Sequence, residues 1–371
     1  MRTLSRRKII KSIGAGSTAV WFALPVSGNV ESQKRIVTQR QRGGVYETQK
    51  VPRRWYEHEK EVDRVYTELQ GSLKHENTID STAVEITERK IAGMRVSSPV
   101  AKVKSDKGDN KDQPAGDVQI PEEIGGIPIN VREAPEEKGL TNCYNAATFD
   151  PVPGGVWMEG TGTDPLGTTG CTVERDGIQF MWTAAHLFMD NSRCGWAGRE
   201  ADQWNGELGM RSAGNYREDW AVVAPAAGIN LSTSIWNSDE DSPFGVRSYL
   251  TYDGLGYWMS NGIIVHKQGR TTGSLTGEIT ERRADDTVSC VNTGGSGVAV
   301  SVDTVGGDSG GPIYGITNHH RNEATMIAST SGGTSRRWFA SYDCSPDSAV
   351  YSRTFGWPAY RMVQDGYEMG W

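Results

Sequence analysis

The chain has no apolar run long enough to cross a bilayer, which excludes a helical membrane span. It has almost no lysine where it has most of its glycine: from Thr141 to the end the only lysine is Lys267. No basic face is apparent, so a nucleic-acid partner is disfavoured. Six histidines and five cysteines are scattered without a His or Cys pair at ligand spacing, which disfavours a metal enzyme. No cofactor is implied, no EF-hand-like string is present, and no internal repeat stands out.

What is present is glycine (45 residues) and tryptophan (12) in a chain of 371 residues, a mixture that suits a β-rich fold with many turns. The amino terminus, Ser5-Arg6-Arg7-Lys8-Ile9-Ile10-Lys11, precedes a weakly apolar run from Ile13 to Pro25. It resembles a twin-arginine export signal, so residues 1–28 are expected to be removed and the protein secreted. That removal takes five of the 39 basic residues and none of the 46 acidic ones, deepening the net charge from −7 to −12. An acidic, lysine-poor surface keeps a protein soluble at high salt, and a halophilic source fits it. Cysteines 143, 171, 194, 290 and 344 in an exported chain imply disulfides with one thiol left over.

Texture divides the remainder. Residues 29–117 are rich in Glu, Lys and Arg and hold no cysteine. Within them Trp55, Glu59, Val62, Tyr66 and Leu69, with Val65 alongside, fall at helical spacing, and Gly71 is a plausible stop. Residues 104–117 read as a solvated linker. Residues 118–140 alternate like strands around Gly125-Gly126. This whole leader is either a pro-segment that inhibits the enzyme until it is removed or a permanent accessory domain. From 141 to 371 short apolar runs alternate with turn residues, which predicts an all-β barrel or sandwich, with helical periodicity only in the final segment from Trp357 to Met369.

The chemistry concentrates in Gly306-Gly307-Asp308-Ser309-Gly310-Gly311-Pro312. Glycines on both sides of a serine let the backbone turn tightly and aim N–H groups into one concavity beside the hydroxyl. Acyl transfer needs that pairing, since a nucleophile attacks a carbonyl while N–H donors hold the oxyanion. A Gly-rich surface turn competes with this reading unless a histidine and a carboxylate lie upstream. Both do. Thr183-Ala184-Ala185-His186 closes an apolar run, and Asp219 heads the apolar strand Trp220-Ala221-Val222-Val223. The leader holds His58 and His75, and the tandem His319-His320 sits in a polar loop.

The strings T-A-A-H, D-W-A-V-V and G-D-S-G-G-P, in that order, resemble the chymotrypsin-type serine endopeptidase family over roughly residues 141–371. Val265-His266-Lys267-Gln268-Gly269-Arg270-Thr271-Thr272-Gly273 narrows the resemblance to bacterial members such as streptogrisins and α-lytic protease. It implies two six-stranded antiparallel β-barrels with a C-terminal helix, preceded here by a partly helical region, acting as a monomer on polypeptides. It further implies Ser309 as nucleophile, His186 as general base and Asp219 as its orienter. The Gly307 and Ser309 N–H groups would form the oxyanion hole. Asp308 would be latched by Lys267, which stands where those members carry a basic residue. Ser331-Gly332-Gly333 would pair with a substrate backbone. Asp303, six residues before Ser309, stands where trypsin-like members carry a carboxylate selecting Arg or Lys; an exposed loop aspartate is the equal alternative, since Val305 replaces the usual cysteine. The resemblance also implies a Cys171–Cys194 disulfide, leaves Cys290 and Cys344 free to bond, and makes Cys143 the odd thiol. An esterase using Ser309 and a catalytically silent binding protein on the same fold are the alternatives.

Overall fold

The computed structural model describes residues 31–73, 79–103, 120–133 and 147–371, except 163–164, 191, 285–286, 289, 293–294 and 343–344. The export signal, the 104–117 linker, Cys143 and Cys344 lie outside the described residues. The chain divides into two compact units, Met1–Arg35 with Lys50–Ala134, and Ile36–Gln49 with Pro135–Trp371.

In the first unit, helix α1 (Arg53–Leu73) buries Trp55, Glu59, Val62, Val65, Tyr66, Leu69 and Leu73. This is the apolar stripe expected from the spacing. It packs on Val84, Ala101, Ile120, Ile127 and Ile129. Glu59 is tolerated in the stripe because its carboxylate accepts from Ser97 N at 2.9 Å and Ser97 Oγ at 2.8 Å. The helix runs two residues past Gly71, which stands in open space. A helical glycine there costs only about 1 kcal/mol, which the buried Leu73 offsets. Strands Ile79–Ile91 and Met94–Val103 form a hairpin, and Asn130–Glu133 adds to the latter in parallel. Gly125 and Gly126 (φ 59° and 78°) make the tight turn between Glu123–Ile124 and Ile127–Pro128.

The second unit is built of strands. Its first body is a seven-stranded sheet in the order Leu166–Thr168, Trp157–Glu159, Glu200–Gln203, Gly206–Asn215, Trp220–Pro225, Ile178–Thr183, Thr172–Arg175. Every pair in it is antiparallel. Its second body closes as a ring of six antiparallel strands. Glu323–Tyr342 pairs with Pro312–Asn318, then Ile264–Gly269, Gly273–Ala284, Gly297–Val300 and Ser345–Pro358, which returns to Glu323–Tyr342.

Both faces of the first sheet are covered, which explains its near-continuous apolar runs. Met181, Ala221 and Val223 point into one cluster with Leu187 and Phe188. Their neighbours Trp182, Trp220 and Val222 point the other way, onto Tyr314, Met326 and Trp357 of the six-stranded ring. The period-2 alternation of side chains therefore lets each strand serve two cores. Helix α2 (Tyr252–Asn261) starts where Thr251 caps Gly254 N and ends at Gly262 in the left-handed region (φ 61°). Helix α3 (Ala359–Gln364) is the C-terminal helix; it starts after Pro358 and ends before Gly366 (φ 90°), so it is shorter than the periodic segment suggests.

Candidate active site

The strand Ile178–Thr183 delivers the chain into a 3-10 turn, Ala185–Phe188, that carries His186. Ala185, Leu187 and Phe188 are buried, which fixes the turn, whereas the His186 side chain keeps 16% exposure. Asp219 stands just before Trp220–Pro225 and is 1% exposed. Its Oδ1 accepts from His186 N at 2.8 Å, and His186 Nδ1 lies 2.9 Å from Oδ2 and 3.0 Å from Oδ1. An ionised carboxylate only accepts, so the arrangement selects the Nδ1–H tautomer and leaves the Nε2 lone pair available. Asp219 adopts φ 58°, a conformation costing about 1–3 kcal/mol. The turn before it is set by Asn215 Oδ1, which accepts from Arg217 N and Glu218 N.

Thr168 joins the histidine strand to the serine turn. Its N donates to Ser309 O at 2.7 Å and its Oγ1 to Gly307 O at 2.7 Å, while its carbonyl accepts from Thr183 Oγ1 at 3.0 Å. Next to it, a Cβ added at Gly167 would lie 2.4 Å from Leu187 Cδ1 and 2.9 Å from Ser309 O. Only glycine fits there, and it lets the residue after His186 and the residue of the nucleophile candidate approach one strand. Gly307 needs its glycine for a different reason, since it combines φ 92° with Thr271 Oγ1 only 2.5 Å from where a Cβ would stand. Asp308 N, Gly310 N and Gly311 N donate to Val305 O, Thr330 O and Asp308 O. Among the described residues the N–H groups of Gly307 and Ser309 donate to no protein group.

Asp308 and Lys267 are both fully buried and paired, Nζ to Oδ2, at 2.5 Å. Thr272 Oγ1 accepts from Lys267 Nζ and donates to Asp308 Oδ2, each at 2.8 Å. Oδ1 accepts from Thr271 N and Thr272 N at 3.0 Å, and Oδ2 from Thr304 Oγ1 and Val305 N. Burial pulls the Lys267 ammonium below its ordinary range, and the Asp308 carboxylate opposes that pull. With this many donors on one carboxylate, the ion pair fixes the turn that contains Gly307 and Ser309. The two threonines following Arg270 carry half of that work; the sequence motif contained them, but nothing in it assigned them.

Asp303 is half-buried, and burial raises its carboxyl above the ordinary range while Lys267 partly offsets this. Thr304, next to it, exchanges two 2.9 Å backbone hydrogen bonds with Tyr351. A Cβ added at Gly333 would lie 2.5 Å from Thr304 Cγ2 and 2.3 Å from Tyr351 Cβ. Thr304, Gly333 and Tyr351 are thereby in contact one residue along the chain from Asp303, and Thr304 and Tyr351 are candidates that the sequence did not suggest. Ser331 is buried, and its Oγ has no hydrogen-bond partner among the described residues. Gly332 and Gly333 pair with Phe355 and Thr354 on one edge, whereas pairing with Pro312–Asn318 on the other edge stops at Ser329. Among the described residues no group of His, Cys, Asp or Glu is arranged to hold a metal ion.

The expected Cys171–Cys194 disulfide does not form. Cys194 bonds Cys290, and Cys171 is a buried free thiol. The reason is directional. Cys171 faces the core with Val173 and Trp182, and burial pushes its thiol well above the ordinary range. Cys194 sits at φ 48° beyond His186, between the short paired strands Met189–Asp190 and Gly195–Trp196, and this longer loop carries it to Cys290. Beside it the Trp196 ring meets Tyr216 edge-on at 6.0 Å and lies under the Arg211 guanidinium at 3.8 Å.

No family model matches this chain, and no curated protein matches it. Solved structures do. The chain is similar to the Nocardiopsis protease NAPase, at 20% identity over 60% of this chain and 100% of that one, with a TM-score of 0.42. It is similar to the Cellulomonas bogoriensis chymotrypsin at 23% identity, over 60% and 98% of the two chains, with a TM-score of 0.39. Thermobifida fusca protease A matches at 18% identity, over 59% and 98%, also with a TM-score of 0.39. The chemistry is read from the residues.

Proposed function

We propose that this chain is a secreted serine endopeptidase that hydrolyses polypeptides through Ser309, His186 and Asp219. The observation that carries the reading is the His186–Asp219 contact at 2.9 Å, held one strand away from a serine turn whose geometry is fixed by a fully buried ion pair. In the mechanism that follows, His186 Nε2 takes the Ser309 Oγ proton as Oγ bonds to the peptide carbonyl carbon. The developing oxyanion accepts from Gly307 N–H and Ser309 N–H, and Asp219 stabilises the imidazolium. His186 then gives the proton to the leaving amine as the C–N bond breaks. Water repeats the cycle on the acyl-enzyme and releases Ser309.

The substrate enters as an added strand along Ser331, Gly332 and Gly333, since on that edge the pairing with the serine turn and the strand after it ends at Thr330 among the described residues. Asp303 selects Arg or Lys before the scissile bond. Its place six residues before Ser309 supports this reading, and export by the twin-arginine route carries the enzyme outside the cell. Casein and short-chain esters, given to the wild type and to Ser309→Ala, test the class. Casein cleavage lost in the variant is the expected result. Ester cleavage without any peptide cleavage would move the assignment to an esterase.

A further inference from the structure

The amino-terminal hairpin, strands Gln33–Gln41 and Gly44–Pro52, has its Ile36–Gln49 portion grouped with the 135–371 unit and not with the leader that surrounds it in sequence. The first strand pairs antiparallel with Ser242–Leu250, Gln39 opposite Leu250 and Arg40 opposite Tyr249. Gln39 is 2% exposed, and its Oε1 accepts from Ser248 Oγ at 2.8 Å and Thr325 Oγ1 at 2.7 Å, both on fully buried residues. The Thr38 carbonyl accepts from Thr251 N, and the Val37 carbonyl from Thr251 Oγ1, the residue that caps α2. Gly254 is a glycine for the same reason, because a Cβ there would lie 2.1 Å from Thr38 O. At the hairpin tip Arg42 pairs with Glu174 at 2.6 Å and Glu368 at 2.8 Å, and its N donates to Gly370 O.

A removable inhibitor buries its own surface against its host. Here host side chains and a helix cap are instead completed by the hairpin. Taken away, it would leave Ser248 and Thr325 with each other (2.6 Å) but without Gln39, and the Tyr249–Leu250 end of the Ser242–Leu250 strand without its pairing. We infer that residues 36–49 are a permanent strand pair of the 135–371 unit, and that its surface around Ser248, Thr251 and Thr325 is a docking site for this segment of its own chain. A single cut in the 134–146 connection then does not release the leader, because 50–134 remains covalently joined to the docked hairpin. Release needs a second cut after Gln49.

This inference does not rest on the protease reading, and its test is run on a Ser309→Ala chain so that the two fail separately. A site-specific protease sequence is inserted at 136–139, the full-length protein is cut, and the products pass over gel filtration in high salt with amide hydrogen exchange on each peak. The expected result is one peak holding both fragments in equal amounts, with amides 36–41 protected as in the uncut chain. Two separate peaks, or one peak in which 36–41 exchange freely, would overturn it. Amino-terminal sequencing of the folded secreted protein gives a second check. A chain that includes 36–49, alone or beside a second chain, is expected; a protein that starts beyond Gln49 and melts at the same temperature as one retaining it contradicts the inference.

Discussion

Three side chains carry the residue-scale account, and each makes a different measurement move. Lys267 is the single lysine of the 141–371 segment, and it is fully buried against Asp308. Removing one partner of such a pair leaves an uncompensated charge, which typically costs about 3–5 kcal/mol. Lys267→Met is therefore expected to lower the melting temperature and to lose proteolysis in the fraction that still folds; full activity and stability would remove the latch from the mechanism. Asp219→Asn keeps the shape of the pair but lets the wrong His186 tautomer form, and kcat on peptide should fall roughly ten-thousand-fold with KM little changed. Asp303 differs in sign. Its carboxyl is raised by burial, so above the ordinary value the folded state holds more protons than the unfolded one, and its contribution to stability falls as pH rises through that window. Asp303→Asn should melt higher than wild type at neutral pH, with the gain vanishing below the ordinary aspartate range, where both side chains are neutral. The same variant should lose preference for Arg and Lys in a peptide library. At this scale the His186–Asp219 and Lys267–Asp308 contacts were legible because the motifs that hold these residues resemble those of a known family. Thr168 was not, because a threonine that bonds a turn 139 positions further along the chain leaves no local pattern.

At the scale of elements, the loop after His186 departs most from expectation. The resemblance, by the count of positions before the histidine, implied a Cys171–Cys194 bond. Counting says nothing of which face of a strand a side chain occupies, and Cys171 faces the core. The observed Cys194–Cys290 bond ties the loop beside the histidine to the loop between Gly273–Ala284 and Gly297–Val300, which belong to the six-stranded ring. It spans 96 residues, and closing a chain segment of that length stabilises by roughly 4–5 kcal/mol in the chain-entropy account. Cys194→Ser with Cys290→Ser should melt lower by several degrees and lose activity before it unfolds, as the histidine loop loosens from the ring. Mild reduction of the wild type should reproduce this. A reduced enzyme of unchanged melting temperature and activity would make the bond dispensable. Cys171, by contrast, should resist alkylation until the protein unfolds. The helices were read in part: α2, in a segment where no helix was expected, was missed, whereas the stripe in α1 was visible because its spacing is independent of its partners. The end of α3 was not, since Gly366 at φ 90° stops the helix while the apolar periodicity continues into the core.

At the scale of the whole molecule, the sequence divided the chain at a change of texture near residue 141; the structure divides it close by, between Ala134 and Pro135, but adds Ile36–Gln49 to the second unit. Charged composition covers 29–117 without a break, yet Ile36–Gln49 belongs with the strands that begin a hundred residues later. Composition could not reveal this, because a hairpin completing a distant sheet needs only Gln39, Thr38 and Arg42 to match Ser248, Thr251 and Glu174. The all-β architecture was legible in the alternation of short runs and turns, and the continuous apolar stretches have their explanation in a sheet covered on both faces. The proposed function rests on one event, the attack of Ser309 Oγ on a carbonyl with His186 as base. The most direct measurement is intact mass after treatment with a fluorophosphonate. The account predicts one stoichiometric adduct, mapped to Ser309, that falls to background in His186→Ala while circular dichroism stays that of the folded protein. Labelling of another serine, or undiminished labelling of Ser309 without His186, would contradict it.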